Sequence, residues 1–244
     1  MSYLEFCNFS AFYKLKKKQY LTVLNNLSFK IEDGEFVAVL GPSGCGKTTL
    51  LKAIMGFCEY TEGDILIDGQ LVEKLKLNTQ TFSYVSQEYS LYPHLTVYEN
   101  IAFPLRNRRV LQTEIDRLVR KTAAEFQIDF LLTRKPFQLS VGQQQRVALA
   151  RAFVKEPTLI LLDEPFSNQD GISGTIARQL IKKMHENYHV TFILVTHDLD
   201  DARYLADKTI IMSDGKITAI GKTNSIMAVY TDATILPPIT GNNQ

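Results

Sequence analysis

Four groups of residues carry side chains whose types and spacing could do chemistry, and the first is Gly41-Pro42-Ser43-Gly44-Cys45-Gly46-Lys47-Thr48-Thr49. It fits G-x-x-x-x-G-K-[ST], in which glycines let backbone N–H groups close on phosphate oxygens while a helix N-terminus adds the positive end of its dipole. Lys47 then reaches the outer phosphates and the Thr48 hydroxyl a Mg2+ ion. A chance match in a chain of this length is roughly one in a hundred, which sets aside a glycine-rich surface turn. The second group, Asp163-Glu164, directly follows the aliphatic run Leu159-Ile160-Leu161-Leu162. Neighbouring side chains at a strand end point different ways, so one carboxylate can hold Mg2+ through its water shell while the other orients or deprotonates water.

His197 is the third group, at the end of the apolar run Phe192 to Thr196. A lone histidine is usually structural, but at the edge that carries the phosphate loop and the paired carboxylates it could donate a hydrogen bond to a terminal phosphate. His94, His185 and His189 have no such position. The fourth group is Leu139-Ser140-Val141-Gly142-Gln143, where Ser140 and Gln143 form a capping box at a helix N-terminus that can receive an anion. Two anion-receiving helix ends far apart in sequence need an explanation. One is that the second completes the first site in a partner molecule.

Positioning these groups requires an α/β framework. Phe36 to Leu40 suits a strand buried on both faces, and Thr49 to Met55 carries Leu50, Leu51, Ile54 and Met55 on a helical stripe that Gly56 stops. Short apolar runs at 4–6, 21–24 and 27–31 read as strands joined by loops, and Asp68-Gly69 as the turn of a further pair. Together they predict an antiparallel β layer. Thr81 to Ser86 reads as a strand ending at Gln87, and the aromatic, proline-broken stretch 88–95 as a loop. Thr96 and Glu99 predict a capped helix that Pro104 ends soon, and 112–126 is an amphipathic helix. Residues 237–244 read as a loose tail.

At 244 residues and 45% hydrophobic, the chain can bury a sizeable core. A net charge of +1 argues against a nucleic-acid partner, and the lysines at 14, 16, 17 and 18 read as a solvated loop. Cys7, Cys45 and Cys58 cannot all pair and lack metal-ligand spacing, which fits a reducing compartment. Cys45 reads as a small neutral filler, with a redox or alkylation switch as the weaker alternative. No signal peptide and no apolar run near the ~20 residues of a membrane span are present, so the expectation is a soluble chain brought to any membrane by another polypeptide.

With these residues in hand, the chain resembles the nucleotide-binding subunits of ATP-binding cassette (ABC) transporters along essentially its whole length. Gly41 to Thr49 looks like the Walker A loop, Gln87 the Q-loop glutamine, Leu139 to Gln143 the signature motif and Leu159 to Asp163 Walker B. Glu164 is then the catalytic base, Ser167 to Asp170 the D-loop and His197 the switch histidine. The resemblance implies a P-loop NTPase (RecA-like) core with an antiparallel β subdomain over 1–86 and 157–244, and an inserted helical subdomain over 87–156, in one domain of 1–244. It implies ATP held by Walker A, with Thr48, Gln87 and Asp163 at Mg2+, and a head-to-tail homodimer or heterodimer. There Ser140, Gly142 and Gln143 of one subunit meet the nucleotide on the other. It also implies an aromatic residue against the adenine, Tyr13 by choice and Tyr20 as runner-up.

The segment 88–100 looks importer-like and would touch a transmembrane permease subunit at the cytoplasmic face, with a substrate-binding protein as a further partner. A C-terminal regulatory domain is expected to be absent, since the chain ends soon after Gly221. Exporter ATPases and soluble ABC ATPases of ribosomes or DNA are the alternatives, although the latter usually carry tandem cassettes or coiled-coil insertions. A P-loop kinase or GTPase fits neither the signature nor the paired carboxylates. Two positions depart from the family pattern. Val141 replaces a glycine and is expected to resist positive φ and add bulk, and Gln169 stands where the D-loop usually has leucine, so an altered hydrolytic rate is expected.

Overall fold

Alternating apolar residues in the first seventy positions build the antiparallel layer. The computed structural model describes residues 2–15, 19–74, 82–167 and 171–230. Lys16 to Lys18, Thr81, the D-loop positions Asn168 to Asp170 and the tail from 231 lie outside the described residues. Strand β1 (Ser2–Lys14) pairs antiparallel with β2 (Tyr20–Glu32). The polar pair Asn25-Asn26 separates two apolar runs without ending the strand. Asn26 takes a φ of 51° and its N–H donates to Ser10 Oγ at 3.0 Å, so the irregularity is absorbed as a register shift. Where two strands were expected, one of thirteen residues forms.

Strand β3 (Phe36–Leu40) is buried at every position, and α1 (Lys47–Ile54) buries Leu50, Leu51, Ala53 and Ile54. Beyond α1, β4 (Tyr60–Ile67) pairs with β1 on one side and with β5 (Gln70–Leu71) on the other. Asp68 and Gly69, at φ 49° and 72°, make the tight turn between β4 and β5. The resulting sheet has the order β2-β1-β4-β5.

Residues 81–190 form a compact unit of their own. It opens with β6 (Phe82–Val85) and continues through α2 (Val97–Asn107), α3 (Gln112–Glu125) and α4 (Val141–Phe153) to β7 (Leu159–Asp163) and α5 (Gly171–Tyr188). Both expected capping boxes form: Thr96 Oγ1 accepts from the Glu99 N–H at 3.2 Å, and Ser140 Oγ from the Gln143 N–H at 3.3 Å. Pro104 does not end α2, which runs to Asn107. A proline inside a helix removes one backbone donor and crowds the carbonyl four residues earlier, but Leu105 beyond it is buried on the face that already carries Val97, Ile101 and Ala102. Packing outweighs the lost bond there. The α3 face of Ile115, Val119 and Ala123 is buried as its spacing predicts, and Phe126 meets Phe153 at a ring distance of 5.3 Å.

The remaining residues, 1–80 with 191–244, form the other unit. Here β8 (Thr191–Thr196) is followed by α6 (Leu199–Leu205), β9 (Lys208–Ser213), β10 (Lys216–Lys222) and α7 (Thr223–Val229). β3 lies parallel between β8 and β9, and β10 pairs antiparallel with β9. Phe36 and Phe192 stack at 4.8 Å at the start of the parallel pair, and Leu40 stands opposite Thr196 at its end. That register decides which loops share an edge.

Candidate phosphate-binding and hydrolytic residues

The loop between β3 and α1 has the glycines, the buried lysine and the helix N-terminus of an anion-binding candidate. α1 starts at Gly46, φ 107°, with no side-chain cap and no acidic residue in its first turn, so its dipole end is not neutralised locally. Lys47 is 5% exposed, and its Nζ donates to the carbonyls of Gly41 at 2.7 Å and Pro42 at 3.0 Å. A buried ammonium without acceptors is costly, so the loop's own carbonyls hold it in place. Ser43, Gly44 and Thr48 face solvent, while Cys45 and Thr49 point inward. Gly41 is required by close approach: a Cβ there would stand 2.3 Å from the Met212 carbonyl oxygen and 2.8 Å from Cys45 Sγ. Cys45 is the filler of that gap, and burial pushes its thiol above the usual range, away from the reactive thiolate.

A residue missed from sequence braces this loop. Gly215, in the turn between β9 and β10, donates its N–H to the Cys45 carbonyl at 3.0 Å and accepts from the Asn25 N–H at 2.9 Å. Its φ of 73° and the Val23 carbonyl 2.3 Å from a would-be Cβ exclude any side chain. The Asp214-Gly215 dipeptide between apolar runs was the available signal.

Tyr13 and Tyr20 fall on opposite faces of the β1/β2 ladder. Tyr13 Oη is 3.4 Å from Thr49 Oγ1 and so lies beside α1, with its ring 43% exposed. Tyr20 stands across from Lys14, one residue out of phase with Tyr13, and meets Tyr60 edge-on at 5.1 Å. Of the two tyrosines, Tyr13 is the one placed beside α1. On the neighbouring edge, the β3/β8 register makes Gly41 and His197 the next residues of two parallel strands. His197 is exposed, and the strand end beneath it is fixed by Thr196 Oγ1 donating to the buried Asp201 carboxylate at 2.9 Å.

In the unit of residues 81–190, parallel β6 and β7 align Val85 with Leu162, which carries Gln87 and Asp163-Glu164 to one edge. The Tyr84 hydroxyl donates to Asp163 Oδ2 at 3.0 Å, and burial together with that carboxylate pushes the phenol above its ordinary range. Glu164 takes a φ of 45°, uncommon for glutamate. Its carbonyl accepts from the Ser167 N–H at 3.3 Å and hydroxyl at 3.0 Å. Backbone held in a sparsely populated conformation next to two carboxylates is typical of a reactive centre.

Ser140 is exposed at the start of α4. Its oxygen accepts from Gln143 N–H while Gln143 Oε1 accepts from Ser140 N–H at 3.0 Å. The cap uses a lone pair of the hydroxyl and leaves its proton to donate to an anion. Val141 corrects the expected strain: it is the first residue of the α4 helix, outside the positive-φ region, and 48% exposed. Its isopropyl group is surface bulk and not a backbone conflict.

A sequence-family model described as ABC transporter matches residues 24–167. The chain is 46% identical over 198 residues to the sn-glycerol-3-phosphate import ATP-binding protein UgpC of Psychromonas ingrahamii, covering 81% of this chain and 53% of that protein. It is 42% identical over 199 residues to the spermidine/putrescine import ATP-binding protein PotA of Thermotoga maritima, covering 82% and 54%. The chain thus spans about half the length of these curated relatives. Among solved structures, a dimeric post-hydrolysis state of the ATP-binding cassette MJ0796 bound to ADP and Pi superposes with a TM-score of 0.81 at 33% identity, over 90% of this chain and 98% of that one.

Proposed function

Since this chain belongs to the ABC transporter family of ATP-binding subunits, we propose that it binds and hydrolyses ATP to drive a separate transmembrane permease, as the energy-coupling subunit of an importer. The observation that carries the reading is the Lys47 ammonium buried within its own loop at an uncapped helix N-terminus. Lys47 and the first N–H groups of α1 hold the phosphates, and Tyr13 lies against the adenine. Glu164 orients and deprotonates the attacking water, a role worth about 10²–10⁴ in rate. His197 donates to the terminal phosphate from a strand end that Asp201 holds rigid. Thr48, Gln87 and Asp163 would offer Mg2+ hydroxyl, amide and carboxylate oxygens, hard donors of the kind that suit that ion. When bound, that ion neutralises phosphate charge.

A homodimer, or a heterodimer with a related subunit, explains the second anion-receiving end: Ser140, Gly142 and Gln143 of one copy meet the nucleotide on the other. The dimeric cassettes that superpose on this chain support that arrangement. Residues 88–100 face the permease at the cytoplasmic side, with a substrate-binding protein delivering cargo. Among the described residues no helix is long and apolar enough to cross a membrane. Relatives of similar identity are named for different cargoes, as expected if the cassette does not touch cargo. The test is Glu164→Gln: ATP binding persists, hydrolysis falls about 10²-fold or more, and light scattering detects an ATP-trapped dimer. Unchanged hydrolysis excludes Glu164 as the base.

A further inference from the structure

The loop that follows Gln87 is tied to the backbone of Pro165, next to Glu164, by side chains with no role in the chemistry described so far. Tyr89 and Ser90 take consecutive positive φ values of 59° and 42°, an arrangement that non-glycine residues do not hold unaided. Arg151, near the C-terminal end of α4, supplies the hold. Its two guanidinium nitrogens donate to the carbonyls of Tyr89 and Ser90, each at 2.9 Å, and its plane lies over the Tyr92 ring at 5.5 Å. This planar two-donor fork on an aromatic face is geometry that lysine cannot reproduce. Burial of the guanidinium lowers its pKa from the usual value.

The same loop reaches the hydrolytic edge. The Tyr89 ring is 4% exposed and its hydroxyl donates to the Pro165 carbonyl at 3.3 Å. Gln145, fully buried on α4, donates to the same carbonyl through Nε2 at 2.8 Å. Pro165 is the residue after Glu164, whose own φ is 45°. One peptide oxygen therefore receives the loop from one side and α4 from the other. The loop, the helix that begins at Ser140, and the strained Glu164 backbone are three ends of one hydrogen-bonded network.

We propose that Tyr89, Gln145 and Arg151 act as a positioning relay, in which a change at Glu164 on nucleotide binding is passed through the Pro165 carbonyl to loop 88–95 and to α4 together. The proposal rests on the reading of Glu164 as the base and of 88–100 as the permease-facing segment. It adds the residues through which the two communicate. A change in the Glu164 backbone that displaces the following residue must move or break the two buried hydrogen bonds to the Pro165 carbonyl, and a buried donor left unpaired is costly, so the partners follow. Arg151 then carries the loop and α4 as one piece.

Amide hydrogen exchange of the full chain, with and without MgATP, tests this. In the parent chain MgATP slows exchange across 88–95 several-fold. In Tyr89→Phe, which loses a single hydroxyl, and in Arg151→Lys, that response is lost while MgATP affinity and the thermal midpoint with Tyr89→Phe stay close to the parent values. A parental exchange response in Tyr89→Phe overturns the relay, and this variant decides the matter if Arg151→Lys does not fold. Parent chain that binds MgATP without any change at 88–95 also overturns the relay and leaves the ATPase reading standing. Failure of the parent chain to bind MgATP overturns both.

Discussion

Val141 is where side-chain chemistry and backbone geometry give different answers. Its φ is ordinary for the first turn of a helix, so replacing it costs little fold stability, and what distinguishes it is a half-exposed isopropyl group beside the Ser140 hydroxyl. If that end must close on a phosphate, the bulk acts in the closed state alone. Val141→Gly is expected to raise ATP turnover by roughly fivefold, equivalent to about 1 kcal/mol of relieved crowding, while changing the thermal midpoint little. Steady-state hydrolysis at saturating ATP measures it, and a rate at or below the parent value rejects the crowding. The sequence contained Val141 but not its φ. A departure from a motif shows which side chain changed, whereas the helical register showing why it is tolerated comes from the Ser140–Gln143 cap.

Among the elements, the turn between β9 and β10 acts on the phosphate loop from nearly 170 residues away in sequence, through Gly215 and the Cys45 carbonyl. Gly215→Ala forces a Cβ into the Val23 carbonyl and into a left-handed φ, at a cost of about 1–2 kcal/mol. Both the midpoint of thermal unfolding and nucleotide affinity, read by titration with a fluorescent ATP analogue, should fall. A loss of stability with unchanged affinity means that the brace does not shape the loop. The main elements were legible because their signals are local: five consecutive apolar residues for β3, a threonine and a glutamate three apart for α2. The brace was not legible, because a Gly at a hairpin turn has the same local pattern whether or not a distant carbonyl uses its N–H. Pro104 failed for a related reason, since burial of Leu105 past it depends on tertiary packing.

At the scale of the whole molecule, the phosphate-loop lysine and the paired carboxylates belong to two separately compact units, so stability of each unit bears on activity. Lys155 offers a handle on the unit of residues 81–190. Its ammonium donates to the Phe82 carbonyl, and burial, aided by the Arg108 charge, lowers its pKa from 10.5 to about 8. The unfolded chain therefore binds this proton where the folded chain has released it, and stability contributed by this group rises as pH goes from about 8 towards 10.5. Lys155→Met is expected to flatten that part of the melting-temperature profile. An identical profile in the variant shows that other groups set the slope.

The two bonds that Lys47 Nζ makes to Gly41 and Pro42 imply a threshold for ligands. They act as placeholders: an incoming phosphate has to offer the ammonium oxygens at least as good as the carbonyls it leaves. A nucleotide whose phosphate chain reaches Lys47 meets that condition. AMP, with nothing beyond its first phosphate, leaves the lysine latched to its own loop and fails to compete. With Tyr13 against the adenine as proposed, adenine recognition would be free to remain loose, because selection among adenine nucleotides would be made at the phosphate end of the ligand, by counting phosphates.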